Sequence, residues 1–593
     1  MAEAAGAVVI EGRVTSADGA PVAGALVTVR RGDPIQLTTV FSDDAGRFRS
    51  PDIATSDPLL LRVRRIGWKD YTAPLAAPGA AQAVVLEPET DPAALAAQLP
   101  ANRWLALLLE RFESAAEREE FVRQCTYCHQ QGNAATRLER EDWQWEKVLA
   151  LMSRMGGTLS PELRAQIPAL FRAAYDPAHA VPRLTAGMER DEFAPPPPAA
   201  VRGAVIDEWE LGGRASMQHD LAVHPDGRVY SVDMTQDQLY RLDPESGARA
   251  SFPLPQDGLP LGGVFGGQNQ PTPPTANAHV GPHSLQIAPD GAVWTTLALG
   301  NRLARFDPQS EQWTVHALDE GIYPHTLRFD AQGRVWFTLA VSNHVGRFDP
   351  ATNELTTVRL PAASFGQALA LRLLPAALWL AQRMDLSALA AEGGDAGTLP
   401  VPYGIDVAPD GGIWFSQLNQ HKIGRLDPDS LTVELIDTPF TAPRRLRFDA
   451  KGALWIPGFS SSVVARFDPK TRAFETFDLP IEPKGTETPY ALHVDRRTGH
   501  VWICGTNSDT LLRFAPPLGV AADDEAGREG MRAAWTVYPL PTRVTYTREI
   551  DFDAEGRVWT SNSNLPAWQV EGGFPRVLRL DPGTPAAVAA SGR

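Results

Sequence analysis

Cysteine is scarce, with three in 593 residues. That count excludes a disulfide-stapled scaffold. With only one closely spaced pair, it offers at most half of a structural zinc site. Long apolar runs are missing too. The nearest candidate, Ala368 to Leu380, is interrupted by Arg372 and is too short to span a bilayer. Basic residues are outnumbered, 55 Lys and Arg against 71 Asp and Glu, for a formal charge of -16. This excludes a nucleic-acid partner, because phosphate recognition needs a cationic face. The start, Met-Ala-Glu-Ala-Ala-Gly, has neither the basic n-region nor the apolar h-region of a secretory signal. A native signal replaced by a start methionine is the expectation, since the chemistry below needs export. What is present, 43 % apolar and 21 % charged residues, is ordinary for globular protein. The length calls for about two to four domains.

Three segments follow one another, with expected bounds 1–90, 91–190 and 200–593. In the first, apolar and polar residues alternate at Val8-Val9-Ile10, Ala25 to Val29 and Leu59 to Val63, and turns fall at Asp18-Gly19, Asp44-Ala45-Gly46 and Gly67. This predicts a small β-sandwich. The wording from Gly12 to Val29 and Asp44-Ala-Gly-Arg-Phe48 resembles the carboxypeptidase regulatory-like domain. That resemblance implies a non-catalytic accessory module. The second segment has helical periodicity. One helix is expected to carry Leu105, Leu108, Leu109, Phe112 and Phe121. A second carries Trp145, Val148, Leu149 and Met152, and a third Leu163, Ile167, Leu170 and Phe171. Ser160-Pro161 is a good start for the third helix. Phe193-Ala-Pro-Pro-Pro-Pro198 then reads as a semi-rigid linker.

The remainder is repetitive. A turn running into Gly-x-Val/Ile/Leu-aromatic recurs at Tyr230, Trp294, Trp336, Trp414, Trp455, Trp502 and Trp559. Each is followed by an Arg-Leu/Phe-Asp-Pro element, at Arg241, Arg305, Arg347, Arg425, Arg466 and Arg579, with a degenerate copy at Arg513. Paired copies of this kind predict four-stranded blades of a seven-bladed β-propeller. No outer strand follows the last copy. Val205-Ile-Asp-Glu-Trp-Glu-Leu211 has the outer-strand pattern and is expected to complete the seventh blade, removing an open edge. The expected fold class is therefore mainly β: a propeller with an N-terminal β-sandwich and a small all-α domain.

Cys125-Thr-Tyr-Cys128-His129 is a C-x-x-C-H motif, read as covalent haem c attachment with His129 on the iron. A disulfide and half of a zinc site are the other readings. Trp145 to Gly156 resembles the methionine-bearing helix of small cytochrome c domains. Met152 is the first choice of distal ligand and Met155 the second; Met152 as core, or an open iron position, are the alternatives. The c-type family implies a periplasmic or otherwise extracytoplasmic site and one-electron transfer. Cys504, in a blade strand, is expected to be buried and inert.

Repeat symmetry also picks out a ring at the propeller mouth, two residues before the first aliphatic of each inner strand: His219, His283, His325, Tyr403, Arg444, Tyr490 and Arg548. The three histidines are candidates for acid–base catalysis or for an additional metal ion. The tyrosines and arginines are candidates for holding a small organic anion or aromatic substrate. Pro402 to Pro428 resembles the virginiamycin B lyase (streptogramin lyase) propeller family. In that family a mouth histidine acts as base with Mg²⁺ near glutamates, so His283 or His325 would match the base. The glutamates have no match: the positions three after the blade aromatics are Asp233, Leu297, Leu339, Gln417, Gly458, Gly505 and Asn562.

Two insertions, Gln256–Gly281 with His279 and Phe365–Gly397 with Met384, are expected to shape the mouth or an edge. The second is either a helix packed on a blade or a lid or docking surface for the haem segment. The sequence thus favours an oxidoreductase passing electrons through haem to a soluble cytochrome or a membrane acceptor. A cyclic-ester lyase and a non-catalytic binding or sensing protein are the alternatives.

Overall fold

The computed structural model describes residues 7–54, 58–75, 79–186, 195–267, 277–386, 399–517 and 525–583. Six consecutive four-stranded antiparallel sheets, blades 1 to 6, are followed by a seventh made of Thr547–Phe552, Val558–Asn562 and Arg576–Asp581. Its fourth strand is Val205–Glu210, paired antiparallel with Val205 opposite Asp581 and Glu210 opposite Arg576. The ring is closed by the strand the sequence singled out.

The repeat has a physical basis in the register. The aromatic and the arginine of each blade are direct cross-strand partners in every copy, from Tyr230–Arg241 to Trp559–Arg579. In three blades the arginine stands over the ring of its partner: Arg347 at 5.6 Å from Trp336, Arg513 at 5.9 Å from Trp502 and Arg579 at 5.6 Å from Trp559. The aspartate of each Asp-Pro turn caps the following backbone: Asp307 Oδ1 accepts from the N–H groups of Gln309 and Ser310, and Asp427 does the same for Asp429 and Ser430.

The N-terminal strands fall into three sheets, one of them the two-stranded pair Ala7–Val8 and Ile53–Ala54, around a core that includes Val14, Val27, Phe48 and Val63, as the alternation predicted. One feature had no signal in the sequence. Strand Gln36–Phe41 pairs on its free side with Val205–Glu210, so one sheet of the N-terminal domain and blade 7 form a single eight-stranded sheet. Thr38 Oγ1 donates to Asp207 Oδ1 across the seam at 2.7 Å. The last blade's outer edge is thereby covered.

Between these units lie helices α1 (Pro92–Gln98), α2 (Ala101–Leu109), α3 (Ala115–Cys125), α4 (Asp142–Arg154), α5 (Pro161–Tyr175) and α6 (Pro177–Thr185). They share a core of Leu105, Leu108, Phe121, Trp145, Leu163, Ile167 and Phe171. The single helix expected from Leu105 to Phe121 is two. Ser114 starts α3 with a capping box, accepting from the Glu117 N–H while Glu117 reaches back to the Ser114 N–H. Ser160 caps α5 as expected. Phe193 and Ala194 of the linker lie outside the described residues, as does part of each insertion.

Candidate functional site

Six of the seven inner strands carry a register irregularity, the first at Gln218/Leu221 and the second at Pro282/Leu285. In blade 5 the inner ladder shrinks to Arg447–Phe448 plus a bridge between Pro443 and Gly458. An irregularity of this kind re-aims side chains that would otherwise alternate. The two residues inside each one are the ring residue and its successor, so two layers of side chains enter the axis.

The upper layer is the ring read from the sequence, and it is shut. His219, His283, His325, Tyr403, Arg444, Tyr490 and Arg548 are all buried, none more than 4 % exposed. The imidazoles of His219 and His283 pack tilted, with centroids 3.8 Å apart, and His325 lies 4.1 Å from both His283 and the Tyr403 ring. Tyr403 Oη donates to Tyr490 Oη at 2.6 Å, and Arg548 Nη1 donates to the same oxygen at 2.7 Å.

Two expectations for the histidines change. Their rings pack tilted against one another, with 42° and 45° between planes, and among the described residues no three His, Cys, Asp or Glu side chains are grouped to hold a metal ion. Burial first, then the Arg548 charge, pushes the His219 pKa down to about 3; His283 and His325 are held well below their ordinary value, mainly by burial. All three are neutral near pH 7, the form in which an imidazole accepts a proton rather than supplies one.

The lower layer was not foreseen. Asp220, Arg445 and Glu549 immediately follow ring residues. Arg445 is fully buried; it donates to Asp220 Oδ1 at 2.8 Å and to Glu549. Arg447 donates to Glu549 Oε1 at 2.6 Å, and Arg328 lies 3.5 Å from the same carboxylate. The signal was available: charges in strands otherwise apolar on that face demand partners. Nearby Asp406 accepts from the Phe448 N–H, and burial raises its pKa to about 7.

The C-x-x-C-H loop sits on top of the ring. Tyr546 Oη hydrogen-bonds the carbonyls of Thr126 and Tyr127, each at 2.7 Å. Gln130 Nε2 donates to Asp509 and to the Thr545 carbonyl, and the Tyr127 ring meets Tyr403 edge-on at 6.1 Å. The Arg444 guanidinium is enclosed by Tyr127, Tyr403, Phe459 and Tyr490, at 3.7 to 4.8 Å. Its three nitrogens have no hydrogen-bond partner. Further out, Asn102 bonds the Asn507 carbonyl and Arg123 the Asn419 side chain, so the helical segment grips loops of several blades.

Cys125, Cys128 and His129 line one side of a cavity of about 230 Å³. Both cysteines are free thiols, and burial raises the pKa of each. Met152 and Met155, both singled out from the sequence, line the same cavity with Phe121, Trp145, Leu149, Ile167 and Phe171. The propeller contributes Pro566, Trp568 and Gln569. His129 turns Nδ1 to the Gln130 carbonyl at 3.0 Å, which fixes the ring and leaves Nε2 for another partner. Two thiols, an imidazole so held and thioether sulfurs in one apolar cavity are the donor set a covalently attached haem requires.

Other predicted residues are structural. Cys504 is fully buried against Thr560 and the Glu549 carbonyl, with burial lifting its pKa to about 12. His279 bonds the Leu259 carbonyl through Nδ1. The helix Phe365–Ala381 ends against the other insertion, where Gln382 Nε2 donates to the Val264 carbonyl at 2.9 Å.

No curated protein sequence matches the chain. Among solved structures it is similar to a streptogramin B lyase (17 % identity, TM-score 0.47, covering 65 % of this chain and 99 % of the lyase). It is also similar to virginiamycin B lyase from Staphylococcus aureus (16 %, 0.45, covering 64 % and 99 %) and to Kuenenia stuttgartiensis hydrazine synthase (11 %, 0.43, covering 62 % and 97 %). Identity this low transfers no residue role. Residues 9–89 match the carboxypeptidase regulatory-like domain.

Proposed function

We propose that the protein is an extracytoplasmic c-type haem protein, an oxidoreductase that takes electrons from a small organic molecule and passes them to a soluble cytochrome or a membrane acceptor. One observation carries the reading: Cys125, Cys128, His129, Met152 and Met155 line a single apolar cavity. The cysteines would attach haem c, His129 Nε2 would ligate its iron, and Met152 or Met155 would complete the coordination. Haem bound there supplies one-electron transfer, at a potential that methionine ligation raises.

The chain's own residues do the rest. Phe121, Trp145, Leu149, Ile167 and Phe171 would present apolar surface to the bound group. Tyr546 and Gln130 hold the attachment loop at a fixed place on the propeller axis. The hydrogen-bonded row Tyr403–Tyr490–Arg548 runs directly beneath that loop. Arg444 favours an anionic guest, because a buried guanidinium with three unpaired nitrogens gains most from a carboxylate or phenolate. Such a guest enters only when the Tyr127 loop lifts, since Arg444 is wholly covered.

The test begins with reduced-minus-oxidised spectra of protein made with haem c maturation; absence of an α-band overturns the reading. Small carboxylates and phenolates are then screened for reduction of the haem, with Arg444→Gln expected to slow a positive by about tenfold or more. Product released from a cyclic ester while the haem stays oxidised would instead establish a lyase. Binding without turnover would establish a sensor.

A further inference from the structure

Among the described residues, the helix Phe365–Ala381 has no partner for most of its surface. Gln367 is its one buried residue, and Ala368, Leu371, Leu374, Leu378 and Ala381 are half-covered by the protein. The other faces are apolar and in solvent. Among the described residues eleven large hydrophobic side chains are exposed, and six of them, Phe365, Leu369, Leu373, Trp379, Leu380 and Met384, belong to this helix and the turn after it. Phe365 is 85 % exposed. An apolar stripe would suit a groove on another protein. Apolar character all round suits a hydrocarbon environment.

Charge selects the kind of surface. No Asp or Glu occurs from Leu355 to Met384, whereas Arg359, Arg372 and Arg383 do, in a chain of net charge -16. Arg383 stands 4.0 Å over the Trp379 ring, pairing a cation with the aromatic residue best suited to the headgroup layer. A second copy of the chain would set the same arginines against each other. The helix is about 26 Å long if straight, and no helix among the described residues is long and apolar enough to cross a membrane.

We propose that this helix lies in the surface of a bilayer containing anionic lipid, its exposed apolar side chains among the acyl chains and its arginines at the phosphates. The full chain is sedimented with vesicles of phosphatidylcholine, alone and mixed with phosphatidylglycerol. The parent protein is expected to sediment with the mixed vesicles and less with the neutral ones. Leu369→Glu/Leu373→Glu should lower partitioning by about tenfold or more, because each apolar side chain contributes roughly the transfer energy of its buried carbons. Its thermal midpoint, expected to be unchanged for exposed positions, shows that the variant is folded. Failure of the parent to sediment with either vesicle overturns the proposal, as does full binding by the folded double variant. A concentration-dependent dimer abolished by the same substitutions, without vesicle binding, would assign the surface to a second copy.

Discussion

Glu549 accepts from Arg445 and Arg447 and lies beside Arg328, with a side chain only 3 % exposed. Removing one member of such a group strands the others without water. Glu549→Gln is expected to destabilise the propeller by about 3–5 kcal/mol, the usual cost of an uncompensated buried charge, as measured by denaturant unfolding. Asp406 poses the opposite case. Its pKa is raised to about 7 by burial, against the nearby Phe448 N–H and the Arg496 charge. The folded protein therefore holds a proton that the unfolded chain releases near pH 4. The stabilisation is complete below about pH 4 and lost as pH rises through 7, with a slope of at most about 1.4 kcal/mol per pH unit. Asp406→Asn should flatten that part of a stability-versus-pH curve. The ring residues were legible one by one because seven copies fixed their phase. The layer beneath was not, because its meaning lies in which charges from different blades meet.

At the scale of elements, the blades were legible because each repeat contains its own reason to exist: an aromatic and an arginine that face each other across one hairpin. The break between α2 and α3 was written in Ser114 and Glu117, but the apolar spacing on either side masked it. The docking of the C-x-x-C-H loop could not be read, since it depends on the shapes of two separately folded pieces. Tyr546 is the residue to change. Tyr546→Phe keeps the ring and deletes the hydroxyl that serves the Thr126 and Tyr127 carbonyls. Losing that contact should cost about 1–3 kcal/mol. Amide exchange at residues 122–130 should then quicken by about tenfold or more while the blade strands stay protected. Equal acceleration throughout the molecule would mean that the loop is not clasped locally.

For the whole molecule, the chain links three units by two different means. Backbone pairing welds the N-terminal sheet to blade 7, whereas side chains fasten the helical segment over the axis. Sequence alternation gave strand Gln36–Phe41 no visible partner beyond its own sheet, because any exposed strand edge will accept another. The two means should respond differently to removal of the two cysteines that the proposed haem would need. The cavity of about 230 Å³ lies between the helices and the Pro566–Gln569 turn. Left empty, a cavity of that size deprives its apolar lining of packing partners. Cys125→Ser/Cys128→Ser, purified without haem, should therefore lose helical order at a temperature below that of the sheets. Calorimetry should resolve this as a separate early transition, with the blade transition close to that of the parent made with haem c maturation. If helices and blades instead melt together in both proteins, the side-chain clasp is strong enough to make the helical segment part of the propeller's cooperative unit.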